Sequence, residues 1–188
     1  MDSIFSLSYP EYSVATHLAK YFKQKDGYSI YAPLSRQEKG VDLILAKRHK
    51  IKTNAITIQV KTSRTYTPEP PKRVNTKVFS FYTWFNRFTI PEEADIFALI
   101  SIYPPSDNRT KNISSWWEAI ILIFSNEEMG KFMQNVKTVK GLDDKMFGFG
   151  FDNKTQIFQT RGDQNRKSQD FSNYLLKNKI LYIKIILA

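Results

Sequence analysis

The chain contains no cysteine and only two histidines in 188 residues. The first absence excludes disulfides, thiolate zinc sites and a cysteine nucleophile, and fits a reducing compartment. The histidines, His17 and His49, do not pair at metal-ligand spacing, and His17 reads as a helix-surface residue. Neither G-x-x-x-x-G-K-[ST] nor G-x-G-x-x-G is present, so ATP-driven and nicotinamide-linked activities have no support. No apolar run approaches the roughly 20 residues of a spanning helix, and the final ILYIKIILA is far shorter. The first residues, MDSIFSLSYPEY, lack the basic segment and apolar core of a signal peptide. The expectation is a soluble cytoplasmic protein with no membrane partner.

What is present is positive charge and aromatic surface. Lys and Arg number 28 against 18 Asp and Glu, a net +10, which favours a polyanionic partner such as nucleic acid or an anionic membrane surface. Phe, Tyr and Trp number 14, 10 and 3. The length suits one domain over 1–188 with a sizeable core.

Pro10 and the apolar spacing Val14, Ala15, Leu18, Ala19 and Phe22 predict a helix over 10–25, ended by Asp26-Gly27. Strands are expected at 28–34, 41–47 and 55–62, then a basic, Pro-containing loop over 62–77 and an aromatic strand at 78–85. The runs 95–103 and 116–125 read as strands buried on both faces. A helix at 126–137 with Asn126 as cap, a hairpin within 146–161 and a helix at 168–179 follow; the last apolar run extends that helix or adds a strand. Trp84, Trp116 and Trp117 read as core or rim packing. The order of elements indicates an α/β sandwich around a mixed sheet.

The stretch KGVDLILAKRHKIKTNAITIQVKTSR (39–64) carries polar residues inside two apolar strands. Residues two apart share a strand face, so Thr57, Gln59 and Lys61 oppose Ile56, Ile58 and Val60. A hairpin turn centred near residue 51 puts Asp42 opposite about residue 60, within one position of Gln59 and Lys61. A carboxylate and an amide oxygen suit Mg²⁺, which prefers oxygen ligands. An ammonium beside them can position a water or stabilise a phosphoryl group. The competing reading is a solvated face with an Asp–Lys cross-strand pair. Glu11 also has two readings. It lies in register with Ala15, Leu18 and Phe22 as a carboxylate on an apolar face, and Ser8-x-x-Glu11 is a capping box.

Taken together, YPEYSVATHLAKYF, GVDLIL and TIQVKTSR resemble the PD-(D/E)XK nuclease superfamily, closest to its Mrr and Holliday-junction-resolvase-like members. The resemblance covers about residues 8–64. It implies a restriction-endonuclease-like three-layer sandwich, a central mixed β-sheet flanked by helices. That core is a helix, a three-stranded meander, a helix and a further strand. Glu11, Asp42 and Gln59 would be metal ligands for Mg²⁺ or Mn²⁺, and Lys61 the catalytic lysine, in hydrolysis of duplex or branched DNA by a subunit that can pair as a homodimer. The sequence departs from the pattern where Gln59 stands at the usual acid, giving Q-x-K, and where Val41 rather than Pro precedes Asp42. Loop and aromatic strand also stand where a helix is expected, which an insertion over about 62–90 would explain.

Arg64, Lys72, Arg73 and Lys77, with Tyr66 to stack on a base, are the candidate nucleic-acid contacts. RGDQNRK (161–167) is a second basic turn. The expected function is that of a Mg²⁺-dependent DNA endonuclease. The alternatives are a nuclease-derived module that binds nucleic acid without cutting it, which Gln59 motivates, and a protein–protein adaptor.

Overall fold

The computed structural model describes residues 8–33, 40–67, 78–104, 117–165 and 167–188. Helix α1 (Tyr9–Ala19) begins where Ser8 and Glu11 form the capping box, with Pro10 in its first turn. It is shorter than the 10–25 expected. The N–H groups of Tyr21 and Phe22 both turn back to the Leu18 carbonyl, and a 3-10 turn (Gln24–Asp26) leads out through Gly27.

Three antiparallel strands follow as a meander: β1 (Tyr28–Tyr31), β2 (Leu43–Arg48) and β3 (Thr53–Tyr66). The β2–β3 turn is closed by His49 N–H on the Lys52 carbonyl at 2.8 Å. β3 continues to Tyr66, through residues expected to be loop, because two further strands pair with it. Its far end pairs antiparallel with β4 (Phe81–Asn86), Thr65 to Thr83 and Tyr66 to Tyr82. Its other edge runs parallel to β5 (Ile96–Tyr103), Ile58 level with Ile96. β6 (Glu118–Ser125) lies antiparallel to β5. The larger sheet thus reads β1-β2-β3-β5-β6, and β3 leaves it to join a smaller one made with β4, β7 (Met146–Phe151) and β8 (Phe158–Arg161).

Helix α2 (Asn126–Asn135) is capped by Ser125, not Asn126: Ser125 Oγ accepts the Glu128 N–H at 3.1 Å, and Glu128 returns the bond to Ser125 N–H at 2.8 Å. Asn126 instead donates its side-chain amide to the Pro91 and Ala94 carbonyls. Helix α3 is Leu176–Ile186, so the final apolar run is helical and the expected start at 168 is corrected. Phe171 turns into the core there, and Asp170 Oδ1 accepts the Ser172 N–H at 2.7 Å, holding residues 170–174 in a turn.

Two apolar layers hold the sheets. Val14, Leu18 and Phe22 of the α1 region and Leu176, Ile183 and Leu187 of the α3 region pack on Leu43, Leu45, Ile56, Ile58, Ile121 and Ile123. The opposite face of β5 and β6 meets α2 and the smaller sheet. There MFGFGF alternates: Phe147, Phe149 and Phe151 are each 0% exposed, and each such burial stabilises by roughly 1.5–3 kcal/mol. No residue from Ile96 to Ile100 is more than 1% exposed, as the unbroken apolar run predicts.

The protein is therefore α/β, with a largely antiparallel sheet system and, among the described residues, three α-helices. The expected sandwich, one mixed sheet between helical layers, differs in one layer: α1 and α3 cover one face, but the other is covered by the smaller sheet together with α2. Among the described residues the element between β3 and β5 is the strand β4, the aromatic strand expected at 78–85, where the resemblance implies a helix. Among the described residues no helix is long and apolar enough to cross a membrane.

Candidate active site

The hairpin register pairs Leu43 with Ile58 and Arg48 with Thr53, which centres the turn between residues 50 and 51. Extended by one step, it sets Asp42 level with Gln59, one position from the expectation of 60. β2 pairs with β3 no further than this. The Asp42 N–H donates to the Ile58 carbonyl at 3.0 Å, and its Oδ2 accepts the Val60 N–H at 2.7 Å. The carboxylate thus takes the place of the next strand residue, satisfying a backbone donor on an edge that β2 has just left. Gly40, at φ +86°, passes close to Pro91 just before Asp42: a Cβ there would stand 2.6 Å from Pro91 Cγ.

Strand parity holds for β3. Ile56 and Ile58 face the α1–α3 layer, and Val60 packs against it; Gln59 and Lys61 lie on the other face. Gln59 is 8% exposed, and its buried Oε1 has no hydrogen-bond partner among the described residues. Its amide nitrogen lies toward Gly40, 3.8 Å from the position a Cβ would take there. An orphaned buried carbonyl costs roughly 1–3 kcal/mol, so the fold retains at this spot an acceptor that it does not itself use. Lys61 is half-buried, with its Nζ 5.1 Å from the centre of the Phe88 ring. Among the described residues Lys61 has no ion-pair partner.

Glu11 follows its capping reading. Its Oε2 accepts the Ser8 N–H at 3.2 Å, and α1 packs on the Ile56–Ile58 side of the sheet. Among the described residues no hydrogen bond joins Glu11 to Asp42, Gln59 or Lys61. The structure brings Asp42, Gln59 and Lys61 onto neighbouring positions of one hairpin and leaves Glu11 committed to the helix terminus. Among the described residues no three acidic or histidine side chains gather closely enough to hold a metal.

One carboxylate was not singled out from the sequence. Asp95, just before β5, accepts the Thr57 N–H at 2.8 Å through Oδ2, and its own N–H donates to Thr57 Oγ1 at 3.0 Å. It does for the β5 edge of β3 what Asp42 does for the β2 edge. The shared signal is an acid immediately before an apolar run: Asp42 before Leu43-Ile44-Leu45, and Asp95 before Ile96-Phe97-Ala98-Leu99.

Of the candidate nucleic-acid contacts, Arg64 is exposed on β3 and Tyr66 stacks on Trp84; Lys72, Arg73 and Lys77 lie outside the described residues. Thr62, Ser63, Arg64, Thr65 and Ile102 line an open cleft of about 580 Å³ at the end of β3. Of the core or rim packing expected, Trp84 and Trp117 do not take the core and are exposed, and Trp116 lies outside the described residues. His17 is half-buried; burial holds its imidazole below the usual histidine range, and its Nδ1 bonds to the Ser13 carbonyl at 2.8 Å.

The chain matches no protein-family model, no curated protein and no solved structure.

Proposed function

We propose that this protein is a Mg²⁺-dependent DNA endonuclease of the PD-(D/E)XK kind, with a restriction-endonuclease-like core and a Q-x-K variant of the third motif. The observation that carries the reading is the unpartnered Gln59 Oε1, buried level with Asp42 and two residues before Lys61. Support also comes from topology. A capped helix, a three-stranded meander and a further strand parallel to the third match the order that the resemblance implies, except that the strand β4 stands where it implies a second helix.

The donor set fits a Mg²⁺ or Mn²⁺ ion held by few protein oxygens: a carboxylate from Asp42 and the amide oxygen of Gln59, which has no other partner among the described residues. When bound, such an ion supplies a water of lowered pKa and offsets charge on the phosphoryl oxygens. Asp42 contributes negative charge from a carboxylate already fixed by Val60 N–H. Gln59 contributes a neutral oxygen whose desolvation is part of the fold. Lys61 brings a cation to the scissile phosphate and stabilises the charge that builds there, with the Phe88 ring limiting where its ammonium can go. Arg64, on the opposite face of β3 by parity, supplies a separate contact to the DNA backbone. Duplex or branched DNA is the substrate class.

The test is calorimetric titration of Mg²⁺ and Mn²⁺ into the metal-free chain. Wild-type protein is expected to show saturable binding that Asp42→Asn weakens; identical isotherms for the two would overturn the ligand assignment. A second reading, a nuclease-derived module that binds DNA without cutting it, is favoured by two observations. Gln59 replaces an acid, and Glu11 is engaged in its cap. It predicts salt-dependent DNA binding without a metal isotherm.

A further inference from the structure

We propose that the outer face of the smaller sheet is a stacking surface for unpaired bases of single-stranded DNA, with Trp84 and Tyr66 as the platform and Arg64 as the phosphate contact. The proposal rests on the nucleic-acid reading above and narrows it to the form of DNA engaged.

Alternation along two strands makes this face. On β4, Phe81, Thr83 and Phe85 are buried, while Trp84 and Asn86 are exposed and Tyr82 is half-buried. On β7 the positions toward this face are Gly148 and Gly150, which have no side chain and are buried. Rings lie over both glycines. A Cβ at Gly148 would collide with Trp84 Cδ1 and stand 3.0 Å from its Nε1; one at Gly150 would stand 2.7 Å from Phe79 Cγ. The glycines of MFGFGF therefore give indole and phenyl rings room to settle on the sheet.

Trp84 is also fixed from the β3 side. Ser63 Oγ accepts the Trp84 N–H at 3.1 Å and donates to the Trp84 carbonyl. Tyr66 stacks on the indole with ring centres 5.0 Å apart and planes 29° from parallel. Covering Gly148 needs one ring. Here a second ring is stacked on the first, and both remain open to water, Trp84 at 40% and Tyr66 at 42% exposure. Two positioned rings lose little entropy on binding, and every base has a face to offer them.

Charge completes the match. Parity puts Arg64 on the same face of β3 as Tyr66, and the β3–β4 register, extended by one step, sets it level with Trp84. It lines the adjoining cleft, on a chain of net charge +10. In a duplex the base faces are stacked on one another, so a ring platform beside a guanidinium selects unpaired strands. Lys61 lies three residues earlier on the same strand, roughly 10 Å away along it. By the same parity Lys61 lies on the opposite face of β3, so the platform and the proposed hydrolytic site occupy different sides of that strand.

The experiment is fluorescence anisotropy of labelled oligo(dT) and of a duplex of equal length, with EDTA present so that no strand is cut. Trp84→Ala and Tyr66→Ala are each expected to weaken oligo(dT) binding by about tenfold and to leave duplex binding within about twofold, while Trp84→Phe keeps most of the affinity. Circular dichroism melting checks each fold, and Tyr66→Ala, whose ring covers no glycine, remains decisive if Trp84→Ala unfolds. Unchanged oligo(dT) affinity in Tyr66→Ala, or equal losses on both DNAs, would overturn the proposal. Wild-type binding to duplex but not oligo(dT) overturns the stacking surface alone. Binding to neither overturns the nucleic-acid reading with it.

Discussion

The carboxylate of Asp42 accepts the backbone N–H of Val60 at 2.7 Å, at the point where β2 parts from β3. The acid that the proposed chemistry requires is also the group that ends the hairpin. Its position is set by the fold before any ligand arrives.

Asp42 therefore has two separable roles. Asp42→Ala leaves the Val60 N–H without its carboxylate and is expected to lower unfolding free energy by roughly 1.5–3 kcal/mol. Asp42→Asn keeps an acceptor oxygen and loses less. Both should lack metal-dependent cleavage. Urea unfolding beside a nicking assay checks this; three equally stable proteins would show that the hydrogen bond does not hold the strand end.

Gln59 separates function from folding in the opposite direction. Its orphaned oxygen costs stability, so Gln59→Leu is expected to be as stable as wild type or up to about 1–2 kcal/mol more stable, while losing metal affinity. Gln59→Glu restores the usual acid of the motif and should tighten Mg²⁺ binding by about tenfold or more, because it adds a unit charge beside the ion. Calorimetry and chemical unfolding on the same samples measure both.

The smaller sheet has its own electrostatic support. Arg161 donates to both oxygens of Asp144, at 3.1 and 3.3 Å. Burial opposes charge on Asp144, but the guanidinium and the N–H groups of Met146 and Lys145 outweigh it and hold the carboxyl below its usual range. A carboxyl depressed in the folded state contributes stability above its unfolded pKa, about 3.9. That contribution is lost as pH falls through the lower folded value. Asp144→Asn should thus cost roughly 1–2 kcal/mol at neutral pH, with the gap to wild type narrowing below about pH 4. Unfolding curves across that range test it; a gap constant with pH would contradict the ion pair.

Gly148 is a steric test of the outer face. Gly148→Val drives a side chain into the Trp84 indole and should cost about 1–3 kcal/mol as an overpacking change. The same change should shift tryptophan emission to the red as the ring lifts from the sheet. An unshifted spectrum would mean that the indole does not lie on β7.

The sequence made the hairpin legible because its signal is local. Parity alone separates Gln59 and Lys61 from Ile56 and Ile58, and polar KRHKIKTN marks the turn to within a residue. What it hid depends on distant partners. Thr62 to Tyr66 are polar and follow no apolar pattern, yet β4 and β5 extend β3 through them. Phe171 and Asp170 interrupt the expected last helix because one is drawn into the core and the other binds its own turn. The Tyr66–Trp84 stack joins residues that only the bend of β3 into a second sheet brings together, and Asp95 acquires its role only from the parallel pairing of β3 with β5.

The central claim is tested most directly by incubating plasmid DNA with purified protein and Mg²⁺ or Mn²⁺, wild type beside Lys61→Ala. That variant loses the contact to Phe88, worth about 0.5–1 kcal/mol, and Lys61 has no ion-pair partner among the described residues, so it should stay folded. The account predicts nicked or linear DNA from wild type with metal, and none from Lys61→Ala or with EDTA. Undiminished cutting by Lys61→Ala, or no cutting by wild type with either ion, would contradict it.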